Sequence, residues 1–176
     1  MMYQPGELIV YGRTGVCRVQ GIEQQKSGQD FYVLEAMYQN CSIRTPVEGK
    51  VFMRPVISKE EADALIDMMP SIEVAPQESL ALRELTEHYQ ASIATHKCED
   101  LIELIMSIYA KKRAAERDKR RFGAVDERFM KEGEALLYGE LAVALDLTME
   151  EVPGYISRRL QEVKAANASR ETAVEV

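Results

Sequence analysis

The chain has 176 residues, 22 Lys or Arg against 29 Asp or Glu, a formal net charge of -7 and 46% hydrophobic residues. That length fits one domain or two small ones, since single domains typically run to about 100 to 150 residues, and the apolar content is enough to bury cores. Cys17, Cys41 and Cys98 lie far apart with no C-x-x-C pair, which argues against a disulfide framework or zinc knuckle and fits a reducing cytoplasm.

The N-terminus MMYQPGELIVYG lacks the basic and long apolar regions of a signal peptide. No apolar run approaches the roughly 18 residues needed to span a bilayer. A soluble, cytoplasmic protein with no membrane partner is expected.

Residues 1 to 57 read as short strands. Leu8 to Tyr11, Val16 to Ile22, Phe31 to Ala36, Cys41 to Thr45 and Val51 to Met53 are rich in Val, Ile, Tyr and Phe. Gly12-Arg13-Thr14-Gly15, Ser27-Gly28-Gln29, Gln39-Asn40 and Glu48-Gly49 separate them with residues that tolerate the positive φ of tight turns. Five strands at that spacing are too few for a sandwich and suit a small SH3-like or Tudor-like β-barrel, a fold that binds partners along an exposed edge or loop.

At Ser58 the period changes. Ser58-Lys59-Glu60-Glu61 is a capping box that predicts a helix from Lys59 to about Met69. Pro70 to Pro76 reads as a linker, because two prolines bracket a short polar stretch. Beyond it, Leu82, Leu85, Tyr89 and Ile93 form one apolar stripe of a helix from Leu80 to about Thr95. A second helix is predicted from Glu99 to about Phe122, buried through Leu101, Leu104, Ile105, Ile108 and Tyr109 and ended by Gly123 as a left-handed cap. Asp126 would cap a third, with Met130, Leu137, Leu141 and Ala144 inward and Phe129, Leu136 and Val143 alongside. Thr148-Met149-Glu150-Glu151 repeats the capping box, but Pro153 moves the start of the last helix to about Pro153, from which it runs through Leu160.

The chain is therefore read as α+β in two domains. Residues 1–70 form a Tudor-like β-barrel with a closing helix, 71–76 a linker, 77–160 an α-helical bundle, and 161–176 a frayed or disordered tail.

No residues converge as catalysts. His88 and His96 are the only histidines, and His96 and Cys98 read as a turn residue at a helix start and a core thiol. No third ligand joins them, so no metal or cofactor is expected. Tyr109 to Arg121, YAKKRAAERDKRR, is different in kind. It holds seven cations against two acids, and residues 109 to 131 hold 9 basic and 4 acidic residues while 59–108 plus 132–176 hold 7 and 20. Lys111, Lys112, Arg113, Arg117, Lys119, Arg120 and Arg121, followed by Arg128 and Lys131, exceed what a helix macrodipole or local pairing with Glu116 and Asp118 satisfies. A polyanion is the expected partner, met at its phosphates rather than by base stacking.

Gly6-Glu7-Leu8-Ile9-Val10-Tyr11, Gly15-Val16-Cys17-Arg18-Val19, Ile22-Glu23, Phe31-Tyr32-Val33-Leu34 and Ile43-Arg44-Thr45-Pro46-Val47 together resemble the CarD/CdnL family of bacterial transcription regulators. The barrel of that family is similar to the RNA-polymerase-interacting domain of transcription-repair coupling factor. Downstream, Lys131 to Ala142 (KEGEALLYGELA) is similar to the family's last long helix, so the resemblance runs from Met2 to about Leu160.

The resemblance implies a non-enzymatic regulator whose barrel docks on the β subunit of RNA polymerase. Its helical domain would contact promoter DNA at the upstream edge of the melted region and stabilise the open complex without close reading of sequence. Arg44 matches a polymerase-contacting arginine of the barrel, and a second position of that surface falls at Gln24 or Gln25. Many members wedge a tryptophan into the minor groove; this chain has no Trp, and Leu82 or Leu85 stands in the matching region Leu82 to Gln90, where the plain reading makes both core leucines. Arg44 has a plain reading too, as a partner of Glu35 or Glu48. The competing function is an adaptor whose basic helix meets an acidic protein surface or RNA instead of promoter DNA.

Overall fold

In the computed structural model, which describes residues 2–72, 74 and 81–174, the segments before residue 57 form five strands. They are β1 (Leu8–Tyr11), β2 (Gly15–Gln24), β3 (Asp30–Ala36), β4 (Ser42–Pro46) and β5 (Met53–Pro55). Gly12 in the three-residue β1–β2 turn and Gly15 at the start of β2 take positive φ, as the tight reversal between paired strands requires. The sheet is antiparallel with the order β4-β3-β2-β1-β5. β4 and β5 are its edges and do not pair with each other, so the expected barrel is instead an open sheet. Closure needs the two outer strands to meet, and here they have only five and three residues. The last strand also begins two residues later than expected, leaving Val51 and Phe52 exposed.

The helices are α1 (Lys59–Met68), α2 (Leu82–Ala94), α3 (Cys98–Arg117), α4 (Ala124–Leu145) and α5 (Val152–Val174). The capping box at the head of α1 is formed, with Glu61 N–H donating to Ser58 Oγ at 3.1 Å and Ser58 N–H to the Glu61 carboxylate at 2.8 Å. Thr148 and Glu151 make the same box on a one-turn 3-10 helix, and α5 starts at Val152. Of the linker expected at 71–76, residues 73, 75 and 76 lie outside the described residues, as does residue 77, the expected start of the helical bundle.

Three helix ends differ from expectation. α3 stops at Arg117, five residues early, because Lys119 adopts φ 53° and the chain turns back on itself. Arg120 N–H reaches Ala115 O at 2.8 Å and Lys119 N–H reaches Glu116 O at 3.3 Å, the hydrogen bonds of a Schellman turn. Gly123, expected to end α3, is the extended N-cap of α4. α5 continues to Val174 where a frayed or disordered tail was expected at 161–176; Ala165, Ala166 and Ala168 favour helix there without burial, and residues 175 and 176 lie outside the described residues.

Most of the buried apolar side chains fall into two clusters. Ile9, Cys17, Val19, Tyr32, Leu34 and Ala36 pack within the sheet. The other cluster joins all five helices, and α1, expected to close the barrel, buries Ala62, Leu65 and Ile66 there. Against α5, Arg159 grips Asp67 at 2.7 and 2.8 Å and Tyr155 donates to Asp63 at 2.6 Å. The sheet meets the helices along α4. Tyr38 O–H donates to Gly139 O at 2.9 Å, and its ring approaches so closely that a Cβ on Gly139 would stand 2.9 Å from a ring carbon.

Candidate functional site

The basic run divides into cations that are committed within the fold and cations that are not. Lys111 continues the apolar stripe of α3, three residues after Ile108, and therefore points inward. Its Nζ lies 2.8 Å from Asp126 Oδ1 and 3.3 Å from the Tyr89 hydroxyl. Tyr89 donates to the same carboxylate at 2.6 Å, and its pKa is raised, first by burial and then by Asp126. Asp126, expected as a helix cap, is thus the buried acceptor joining α2, α3 and α4.

Lys112 is half-buried over the Phe122 ring at 5.9 Å, Arg120 pairs with Asp118 at 3.1 Å, and Lys131 with Glu127 at 3.3 Å. Arg128 lies over the Phe129 ring at 4.9 Å. Arg113, Arg117, Lys119 and Arg121 are exposed, and none makes an ion pair or side-chain hydrogen bond to a described residue.

Because mid-α2 Tyr89 meets Lys111 near the end of α3 and Asp126 in the first turn of α4, three helix termini gather at one end of the bundle. They are the start of α2, the end of α3 and the start of α4. Arg113 and Arg117 stand in the last two turns of α3 with Lys119 and Arg121 just beyond, and Leu82, the first residue of α2, is 70% exposed. Leu85, the other leucine considered as a wedge, is 5% exposed and belongs to the core. Tyr109 is held by Glu134 at 2.7 Å, which with burial pushes its pKa up to about 12.

The sheet packs along α4 between Glu132 and Glu140 and against the α2–α3 turn. Arg54 on β5 forks onto Glu140 of α4, Nη1 to Oε2 at 2.6 Å and Nη2 to Oε1 at 2.7 Å, and its Nε donates to His96 O at 3.0 Å. Glu140 is 2% exposed and also accepts from Ile57 N–H at 3.0 Å and the Cys98 thiol at 3.2 Å. The buried thiol is pushed well above its ordinary range by burial and by Glu140. His96 takes φ 58° and stacks on Phe52 at 4.3 Å, while burial, Arg54 and Arg13 lower its pKa. Arg13 and Glu132 add an ion pair at the rim. Nothing in local spacing announced these contacts: Arg54 and Glu140 are 86 residues apart.

On the far side of the sheet, β4 pairs with β3 on one side and with no described strand on the other. Arg44, at its centre and half exposed, pairs with Glu23 at 2.7 Å rather than with Glu35 or Glu48, and lies over the Phe31 ring at 5.6 Å. Gln25 is exposed and opens the β2–β3 turn one residue after β2 ends, accepting from Gly28 N–H at 3.0 Å. Among the described residues no group of three or more His, Cys, Asp or Glu is placed to hold a metal ion, and no helix is long and apolar enough to cross a membrane.

A comparison with curated proteins finds no match to the chain. A match to a family model covers residues 3–57, which hold all five strands and stop before α1. By that match the chain carries, over its sheet, a CarD-like/TRCF RID domain, the RNA-polymerase-interacting domain of CarD-like proteins and transcription-repair coupling factor.

Proposed function

We propose that the protein is a non-enzymatic transcription regulator built as two parts. The sheet docks on the β subunit of RNA polymerase, and the far end of the helical bundle lies on promoter DNA at the upstream edge of the bubble, stabilising the open complex. The observation that carries this reading is that Arg113, Arg117, Lys119 and Arg121, at and just beyond the end of α3, are exposed and unpaired among the described residues on a protein of net charge -7. Exposed cations with no ion pair to any described residue favour a polyanion, and phosphate contacts need no base reading. Lys111 leaves the contact set, because Asp126 already holds it; Lys112, Arg120 and Arg128 flank the set.

Docking is assigned to the β4 edge. An unpaired edge presents backbone donors and acceptors, and Arg44 adds a planar fork suited to a carboxylate. Its exposed pair with Glu23 is worth about 0 to 1 kcal/mol and is readily exchanged. Gln25 adds an amide beside it. Leu82 is the side chain proposed to press against the base steps, since apolar wedges unstack them.

Because the remainder of the protein is acidic, DNA affinity alone is weak, and contact strengthens when polymerase raises the local concentration. Replacing Arg113, Arg117 and Arg121 by Ala is expected to leave polymerase binding intact, shorten open-complex lifetime, and flatten its log-log salt slope by about 2.7, at about 0.9 for each phosphate no longer neutralised. Arg44→Glu is expected to abolish capture of the β subunit by a folded protein. If the triple variant prolongs open complexes as well as the parent, the cations are a solvated face and the DNA assignment fails.

A further inference from the structure

Five of the fold's long-range polar contacts meet at one point, where Arg54 and Glu140 tie β5 to the Ile57 amide, the α2–α3 turn, the first residue of α3 and the last third of α4. Stability alone does not account for such a device. A buried ion pair recovers little more than its desolvation cost, and apolar side chains of the same volume often hold a fold as well. What an apolar contact lacks is direction. A planar guanidinium gripping a carboxylate through two parallel hydrogen bonds fixes an angle as well as a distance.

That angle matters because of what lies beyond it. α3 begins at the junction with Cys98 and runs 20 residues to Arg117, about 30 Å at 1.5 Å per residue. A 10° tilt at the junction would move the cationic end by about 5 Å over that length. Successive phosphates of one DNA strand are about 3.4 Å apart along the helix axis, so such a tilt shifts the cations by more than one phosphate.

We propose that Arg54 and Glu140 are positioning residues: they lock the sheet to the base of α3 so that docking of the sheet sets where the free cations fall along the DNA backbone. This rests on the function proposed above, but the angle itself is measurable without polymerase or DNA. Cys41 is the exposed one of the three cysteines, and Glu116→Cys supplies a second label site at the far end of α3. The full chain carrying spin labels at both sites, with Arg54 and Glu140 intact, should give one narrow distance distribution.

With Arg54→Met and Glu140→Leu together, which remove both charges and keep the volume, the protein should still melt cooperatively and capture polymerase while the distribution broadens. Open-complex lifetime should fall about tenfold as the effective concentration of the cationic end is diluted. If the double variant does not fold, Arg54→Lys, which keeps the charge and loses the fork, carries the same measurements. An unchanged distance distribution in a folded variant overturns the proposal, as does a broadened one that leaves the lifetime as it was. If the parent itself never prolongs open complexes, the proposed function fails, and the spin-label result alone then decides whether the pair sets the angle.

Discussion

Lys111 offers a sharp test of how the basic run is divided. Its side chain is 16% exposed and that of Asp126 10%, and the carboxylate has two donors, Lys111 Nζ at 2.8 Å and Tyr89 O–H at 2.6 Å. Lys111→Ala leaves a buried anion with the tyrosine as its one remaining donor. Removing one partner of a buried pair costs about 3 to 5 kcal/mol, and the retained tyrosine bond puts this case at the low end, about 3 kcal/mol. For a chain of this size each kcal/mol moves the melting temperature by about 2 to 4 °C, so a fall of about 6 to 12 °C is expected by circular dichroism or calorimetry at neutral pH.

Asp126→Asn in the Lys111→Ala background should recover part of that loss, since the amide oxygen still accepts from Tyr89 and no uncompensated charge remains. Arg113→Ala, Arg117→Ala and Arg121→Ala should each stay within about 0.5 kcal/mol of the parent. A Lys111→Ala protein melting within about 2 °C of the parent would refute the division into structural and free cations, because every lysine and arginine of the run would then behave as surface.

Other outcomes follow from single residues. Lys119 sits in the left-handed region at a strain of about 1 to 2 kcal/mol, so Lys119→Gly should raise the melting temperature by about 2 to 4 °C after glycine's entropy is offset; a lower melting temperature would contradict the turn. Leu85→Ala should cost about 2 to 5 kcal/mol in urea unfolding, whereas Leu82→Ala should stay within about 0.5 kcal/mol and act only on open-complex lifetime. Folding holds the pKa of His96 below its free value of 6.5, so below that pH the unfolded chain binds the extra proton. The stabilisation is present above about pH 6.5 and is lost as pH falls from there towards the lowered value. His96→Asn, which tolerates the same backbone, should lose less of its urea midpoint than the parent between about pH 7.5 and 5.5; equal losses would refute the burial of a neutral imidazole.

Much of the fold is written locally. β-Branched runs punctuated by Gly12, Gly15 and Gly28 mark the strands, and Ser58 with Glu61 marks the head of α1 because both halves of that box sit within four residues. The stripe Leu85, Tyr89 and Ile93 is buried as its spacing requires. Openness of the sheet was not legible, since it depends on which strands become edges, and strand order has no local pattern. The end of α3 was hidden because a lysine occupies the left-handed position where glycine would have advertised it.

Lys111 is legible: it lies seven residues after Leu104 and three after Ile108, on the buried stripe of α3, whereas Arg113 and Arg117 are exposed. The Arg54–Glu140 junction had no signal at all. Its partners lie 86 residues apart, on β5 and α4, and meet only in the tertiary structure.

The open sheet has a further consequence for how the protein behaves at high concentration. β5 is three residues long, and so short an edge strand is a poor template for another chain. β4 is then the one edge able to accept a visiting chain, which gives the sheet a valency of one. A molecule with a single sticky edge can pair once and then stop; it cannot grow a ladder of stacked copies, which needs two. A partner seated on β4 would close even that route, so occupancy of the edge and freedom from self-association would rise and fall together.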